Sequence, residues 1–196
     1  MPSCQTSCNT FFRTSCPVNS EPRKPSLTPM STPRVRRFDL IAFDWEDTLS
    51  DPQLLTRRLF EGVLPMLQDL RSKHYLIAVA TGKSRLGLKA ALQELKLNEV
   101  FHATRTADET SGKPDPQMLQ ELMRELDVAP ERTLMVGDSV YDLEMAVHAG
   151  CAGVGVSFGS SSSELSHRHR EALKRAPSLY LAHSVQDLHQ WLVLHG

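Results

Sequence analysis

The sequence predicts an α/β domain built on a doubly wound, Rossmann-like parallel sheet. Four short apolar runs, FDLIAF (38–43), YLIAVA (75–80), TLMV (133–136) and GVGV (153–156), lack the polar alternation of a half-exposed strand and suit strands covered on both faces. Amphipathic stretches of helical period lie between them, and no internal repeat interrupts the alternation. In such sheets ligands bind outside the carboxyl ends of the strands.

Residues 1–37 precede this pattern and differ in kind. They hold six of the twelve prolines, eleven Ser or Thr, six Lys or Arg and a single acid, without an apolar period, so they are expected to be a disordered tail ahead of a core spanning 38–196. The tail has no apolar stretch suited to a secretory signal, and its prolines break the amphipathic helix of an organellar transit peptide. Met30 is an alternative start. Cys4, Cys8 and Cys16 of the tail match no zinc spacing, and Cys151 reads as a small buried hydrophobe.

Within the core the helical stretches are expected at 54–73, 84–96, 116–127, 140–150 and 184–196. Gly150 fits a C-terminal cap of the fourth, and Ser184 is an N-cap for the last, which would dock Trp191 and Leu192 on the body. With 40% hydrophobic residues the chain of 196 residues can bury one sizeable core. Its formal net charge of −1 argues against nucleic acid or a membrane surface as partner. No run approaches the ~18 apolar residues of a membrane span, so a soluble, cytoplasmic protein is expected.

Polar residues follow three of the strands. Asp44 closes the first, Thr81 and Gly82 follow the second, and Gly137, Asp138 and Ser139 follow TLMV. Each alone reads as a turn or cap. Together, with Lys113 in a loop between them, they are expected to converge on one crevice.

These segments, DWEDT (44–48), VATGK (79–83), GKPDP (112–116) and VGDSVYD (136–142), resemble in order the four motifs of the haloacid dehalogenase superfamily of phosphohydrolases. Over residues 38–194 the chain is similar to bacterial phosphoglycolate phosphatase-like proteins. The resemblance implies a Mg²⁺-dependent phosphomonoester hydrolase acting through an aspartyl-phosphate on a phosphorylated small molecule or macromolecule. Asp44 is then the nucleophile. Asp44, Asp138 and the Glu46 carbonyl would hold Mg²⁺, while Asp142 would hold a water of the ion or orient Lys113. The Thr81 hydroxyl and the Gly82 amide would receive the phosphoryl oxygens, and Lys113 would stabilise developing negative charge. Lys83 and Arg85 either touch substrate or face water, and Ser139 reads as a helix cap rather than a phosphate contact.

The chain departs from that family in its first motif and in its size. Glu46 stands where the family has the Asp that protonates the leaving group, one methylene longer, which predicts a slow enzyme or an adjusted site. Asp47 replaces a Gly and is expected to take an uncommon backbone angle. The helical cap domain is also absent, because only Leu49–Leu59 separates the first motif from FEGVLPML, which resembles the segment following that cap. An open crevice supplies few substrate contacts. A catalytically impaired binding or structural domain is therefore the alternative to a promiscuous phosphatase.

Overall fold

The structure, a computed structural model, describes residues 36–51, 58–159 and 164–196. The expectations for residues 1–35, the disorder and the lack of a zinc spacing at Cys4, Cys8 and Cys16 among them, lie outside the described residues. Arg36 and Arg37 already belong to the body: the Arg36 guanidinium bonds Asp39 at 2.9 Å and covers the Tyr75 ring at 4.7 Å, and the Arg37 amide bonds the Gly196 carbonyl at 3.0 Å.

In chain order the elements are β1 (Leu40–Phe43), β2 (Ser50–Asp51), β3 (Arg58–Leu59), α1 (Val63–Ser72), β4 (Leu76–Thr81), α2 (Arg85–Glu94), β5 (Ala103–Thr106), α3 (Gln117–Leu126), β6 (Thr133–Gly137), α4 (Val140–His148), β7 (Ala152–Val156), α5 (Glu164–Arg175), β8 (Tyr180–Ala182) and α6 (Val185–His195). Six strands form one parallel sheet in the order β5-β4-β1-β6-β7-β8, and β2 pairs antiparallel with β3 apart from it. The chain runs outward from β1 in one direction and returns to wind the other way from β6, so the topological switch lies between β1 and β6.

Both faces of the sheet are covered, as its apolar runs require. Along β1, Ile41 and Phe43 face a cluster with Val63, Leu67 and Leu70 of α1, Leu88 of α2, and Leu188 and Leu192 of α6. Leu40 and Ala42 point the other way, toward Met118 and Leu122 of α3 and Met145 and Ala146 of α4. Each fully buried Leu, Ile or Phe contributes roughly 1.5–3 kcal/mol. Small residues on the second face let the helices approach: Gly153 faces Leu143, and Gly155 faces Leu173 of α5.

The expected helix 54–73 is shortened. Gly62, at φ 88°, starts α1 at Val63, and Arg58 and Leu59 pair as a strand with Asp51 and Ser50. Pro65 then falls in the first turn, where its missing N–H has no intrahelical partner to lose, whereas inside a longer helix it would cost about 3 kcal/mol. Besides β2 and β3, three elements escaped sequence reasoning. β5 (ATRT) and β8 (YLA) are edge strands with half-exposed residues, and α5 (ELSHRHREALKR) carries few apolar residues; its Leu173 is fully buried. Cys151 is half-buried, against the expectation of burial, with its Sγ 3.5 Å from the Met123 sulfur, and burial pushes its thiol pKa up to about 12. Gly150 follows α4 at φ 75°, Ser184 caps α6 by accepting the Asp187 amide at 3.0 Å, and half-buried Trp191 stacks on Tyr180 with ring centres 5.6 Å apart. Six residues link β2 to β3 and ten link β5 to α3, so neither connection holds a cap domain.

Candidate active site

At the switch point the chain leaves β1 through Asp44, whose amide bonds the Val136 carbonyl of β6 at 2.8 Å. Trp45 turns into the core, 2% exposed and edge-on to Phe101, and thereby anchors the segment. The amides of Leu49 and Ser50 converge on the Trp45 carbonyl at 3.0 and 2.9 Å, winding residues 45–50 into a tight turn. Asp47 takes φ 55° in that turn, a left-handed angle that Asp tolerates better than most residues. Gly159, after β7, lies against the Asp47 backbone so closely that a Cβ there would collide with it.

The turn aims the Asp44 carboxylate into the crevice, 7% exposed. Lys113, from the loop between β5 and α3, bonds its Oδ1 at 2.6 Å and lies 2.6 Å from Asp142 Oδ1 as an ion pair outside hydrogen-bond alignment. Asp142 is built into the start of α4. Its Oδ2 accepts the Ser139 amide at 3.1 Å and the Ser139 hydroxyl at 2.6 Å, while Ser139 Oγ accepts the Asp142 amide at 3.3 Å, a capping box that confirms Ser139 as a cap. Only a glycine fits at 137, because a Cβ would collide with the Asp142 carboxylate.

Asp44, Asp138 and Asp142 each present an oxygen, all within 4.8 Å of one another. Burial raises the Asp44 pKa to about 6, with Lys113 pulling against it and Asp142 adding to it. Asp138 is raised further, to about 8, by burial and then by the charges of Asp44, Asp142 and Asp47. Burial works against the Lys113 ammonium, but the two carboxylates outweigh it and hold its pKa above the ordinary lysine value. Three carboxylates thus share one ammonium, which bonds Asp44 and pairs in charge with Asp142. The surplus negative charge, presented by hard oxygen donors around Asp138, fits a small divalent cation.

Thr81, at the end of β4, is buried, and its Oγ1 accepts the Lys83 amide at 3.2 Å. Gly82 faces open space. Lys83 reaches across to Glu46, Nζ to Oε1 2.5 Å, so it belongs to the crevice. Arg85 turns away, bonding Thr104 Oγ1 at 2.6 Å and pairing with Glu109. Two residues near the carboxylates were not singled out from sequence. Thr48 Oγ1 lies 3.5 Å from Asp138 Oδ1, and His169 of α5 places Nε2 2.7 Å from the Asp138 carbonyl and 3.6 Å from its Oδ2. Nothing in HRHRE marks His169, since the segment is polar throughout and reads as a solvated stretch; Thr48 was legible only as part of DWEDT.

Comparison with known proteins places these features. Residues 37–156 match the profile of the haloacid dehalogenase-like hydrolase family. Pyrophosphatase PpaX of Bacillus mycoides (strain KBAB4) is 36% identical over 100 residues, which are 50% of this chain and 46% of that protein, and its counterpart in Bacillus cereus (strain Q1) is 34% identical over the same shares. The chain thus spans about half the length of the curated relatives it matches. Among solved structures, a predicted phosphoglycolate phosphatase from Haemophilus somnus 129PT superposes with a TM-score of 0.69 at 19% identity, covering 80% of this chain and 99% of the other. A HAD family hydrolase from Deinococcus radiodurans R1, solved with bound phosphate and sodium, superposes with a TM-score of 0.68 at 16% identity, covering 82% and 97%. At these identities the structural likeness speaks to the fold.

Proposed function

Because the chain belongs to the haloacid dehalogenase-like hydrolase family, we propose that it is a Mg²⁺-dependent phosphomonoesterase whose nucleophile is Asp44. The single observation that carries this reading is the placement of Asp44 at the topological switch, bonded by Lys113 at 2.6 Å and flanked by Asp138. The likeness to pyrophosphatases and to a hydrolase holding phosphate supports the substrate class.

In this reading Asp44 attacks phosphorus from the side opposite the leaving oxygen. The P–O(ester) bond breaks, the phosphoryl group passes to the carboxylate, and Glu46 gives the departing oxygen its proton. Glu46, now a base, takes a proton from the water that attacks phosphorus and cleaves the aspartyl-phosphate, returning Asp44 and free phosphate. The Thr81 hydroxyl and the Gly82 amide, ahead of α2, hold the phosphoryl oxygens. Lys113 keeps Asp44 ionised and oriented, and Asp142, whose two oxygens are taken by Ser139 and Lys113, holds Lys113 in place. Asp44, Asp138 and the Glu46 carbonyl are the groups that would hold the cation. When bound it neutralises the repulsion between a carboxylate and a phosphate dianion. Without a cap domain the crevice stays open, which fits small phosphoesters in general or a phosphorylated macromolecule that covers the site itself.

The test is hydrolysis of an aryl phosphate with and without Mg²⁺, beside Asp44→Asn. Metal-dependent turnover abolished in Asp44→Asn is the expected result. If both proteins are equally inert with metal present, a binding or structural role replaces the enzymatic one.

A further inference from the structure

Beyond Asp138 the carboxyl edge of the sheet continues into a cavity of about 340 Å³, lined by Ser157, Arg170, Glu171, Lys174 and His183. Ser157 follows β7 and His183 follows β8, so the cavity opens on the edge that carries Asp44 and Asp138. Gly155 of β7 pairs with Gly137 of β6 in register, which places the start of the Ser157 segment about one strand spacing, roughly 5 Å, from the chain that continues into Asp138. The helix over the cavity is α5. Its His169 touches the Asp138 carbonyl at 2.7 Å, and the next residue, Arg170, lines the cavity. The carboxylate cluster and the cavity therefore share a wall.

The lining is rich in donors. Arg170 and Lys174 stand four residues apart, on one side of α5. The Ser157 hydroxyl, nearly buried on the floor, lies 2.8 Å from His183 Nδ1 and 3.3 Å from the Ala182 carbonyl. Glu171, 2.7 Å from Lys174, is the acid among the lining residues. Two cations, an imidazole and a hydroxyl facing one carboxylate suit an anion of phosphate size, held by charge-assisted bonds. The volume leaves room for a linking chain. A family member without a cap domain needs other contacts to choose its substrate, and this cavity is placed to supply them.

Resting on the hydrolase reading above, we infer that the Arg170–Lys174–Ser157–His183 cavity is a distal anion subsite, and that the substrate class is phosphoesters bearing a second phosphate or comparable anion several bonds from the scissile phosphorus. Linear diphosphonates serve as a ruler because they are not hydrolysed. Their affinity for the full-length chain, with three to six carbons between the phosphonates and Mg²⁺ present, is measured by calorimetry against hexylphosphonate. At least one length is expected to bind tenfold or more tightly than the monophosphonate. That ratio should fall at least threefold in Arg170→Gln and in Lys174→Gln, and rise in Glu171→Gln, which removes the acid from the lining. The Lys174 side chain is 55% exposed, so its substitution leaves the core untouched. A ratio within twofold of unity at every length, or one that persists in the Arg170→Gln/Lys174→Gln double variant, overturns the subsite. A protein without turnover still reports this ratio, so failure of the subsite and failure of the hydrolase reading are told apart.

Discussion

On the hydrolase reading proposed above, shortening Glu46 by one methylene should raise phosphatase turnover. In Glu46→Asp the carboxylate withdraws by about 1.5 Å, which opens the 2.5 Å contact with Lys83 beyond hydrogen-bond range. That ion pair is partly exposed, 49% for Glu46 and 23% for Lys83, so its loss costs only about 0.2–1 kcal/mol of stability. The gain lies in proton transfer, because the acid returns to the reach usual in the family and leaves a tether that holds it away from the leaving oxygen. A misplacement of ~1 Å can cost about 10²-fold, so kcat should rise roughly ten- to a hundredfold, a transition-state gain of about 1.4–2.7 kcal/mol. Since the Glu46 carbonyl is unchanged, Mg²⁺ affinity should stay within about twofold. The assay is kcat for an alkyl phosphate, whose leaving group needs the proton, beside a nitrophenyl ester, whose leaving group does not; the gain should be confined largely to the first. If Glu46→Asp leaves kcat unchanged or lowers it while Asp44→Asn abolishes it, the site is adapted to Glu and the reasoning fails. Glu46→Ala should lower whatever activity the native protein has.

The other predictions concern the groups around the carboxylates and the base of the sheet. Lys113→Met leaves Asp44 and Asp142 buried without their shared ammonium, at a cost of about 3–5 kcal/mol in unfolding free energy. Mg²⁺ should then raise the Tm of the variant more than that of the native chain, and an unchanged Tm would show that the carboxylates are not held ionised together. His169→Ala should weaken Mn²⁺ binding, followed by electron paramagnetic resonance, about tenfold, the usual size of a loss next to a ligand, with partial rescue by His169→Gln; equal affinity in all three would leave His169 a packing residue. Asp39 has its pKa held below the ordinary value first by the hydrogen bond from Arg132; burial opposes this, and the hydrogen bond from Arg36 adds to it. A depressed carboxylate stabilises the fold above its unfolded pKa of about 3.9 and loses that contribution as pH falls through the folded value. Asp39→Asn should therefore lower Tm by a few degrees at pH 7 and by progressively less below about pH 4, and a difference that does not vary with pH would contradict the pairing.

What the sequence by itself determined are the features that physics settles within a few residues. Apolar runs such as LIAF and TLMV can only be covered on both faces, so the parallel sheet was legible, and with it the carboxyl edge where Asp44, Thr81 and Asp138 end their strands. Caps were legible for the same reason: Ser139 and Ser184 bond amides three residues on, Gly150 closes a helix in the left-handed region, and Asp47 takes the uncommon left-handed angle expected of it. Only the tertiary structure decided which distant groups meet. Lys113 reaches Asp44 across 69 positions of sequence, a meeting that GKPDP foreshadowed, whereas Lys83 reaches Glu46 across 37 and no local pattern distinguishes it from a solvated lysine. It also decided where the first helix begins, because the pairing of Arg58 and Leu59 with Asp51 and Ser50 takes residues that a helical period would otherwise claim. β5 and β8 became strands although half-exposed, since an edge strand draws its stability from its neighbour's hydrogen bonds rather than from burial. The wall formed by α5 is likewise tertiary: Leu173 docks over Gly155 on the helix whose His169 lies against Asp138 and whose Arg170 and Lys174 line the neighbouring cavity.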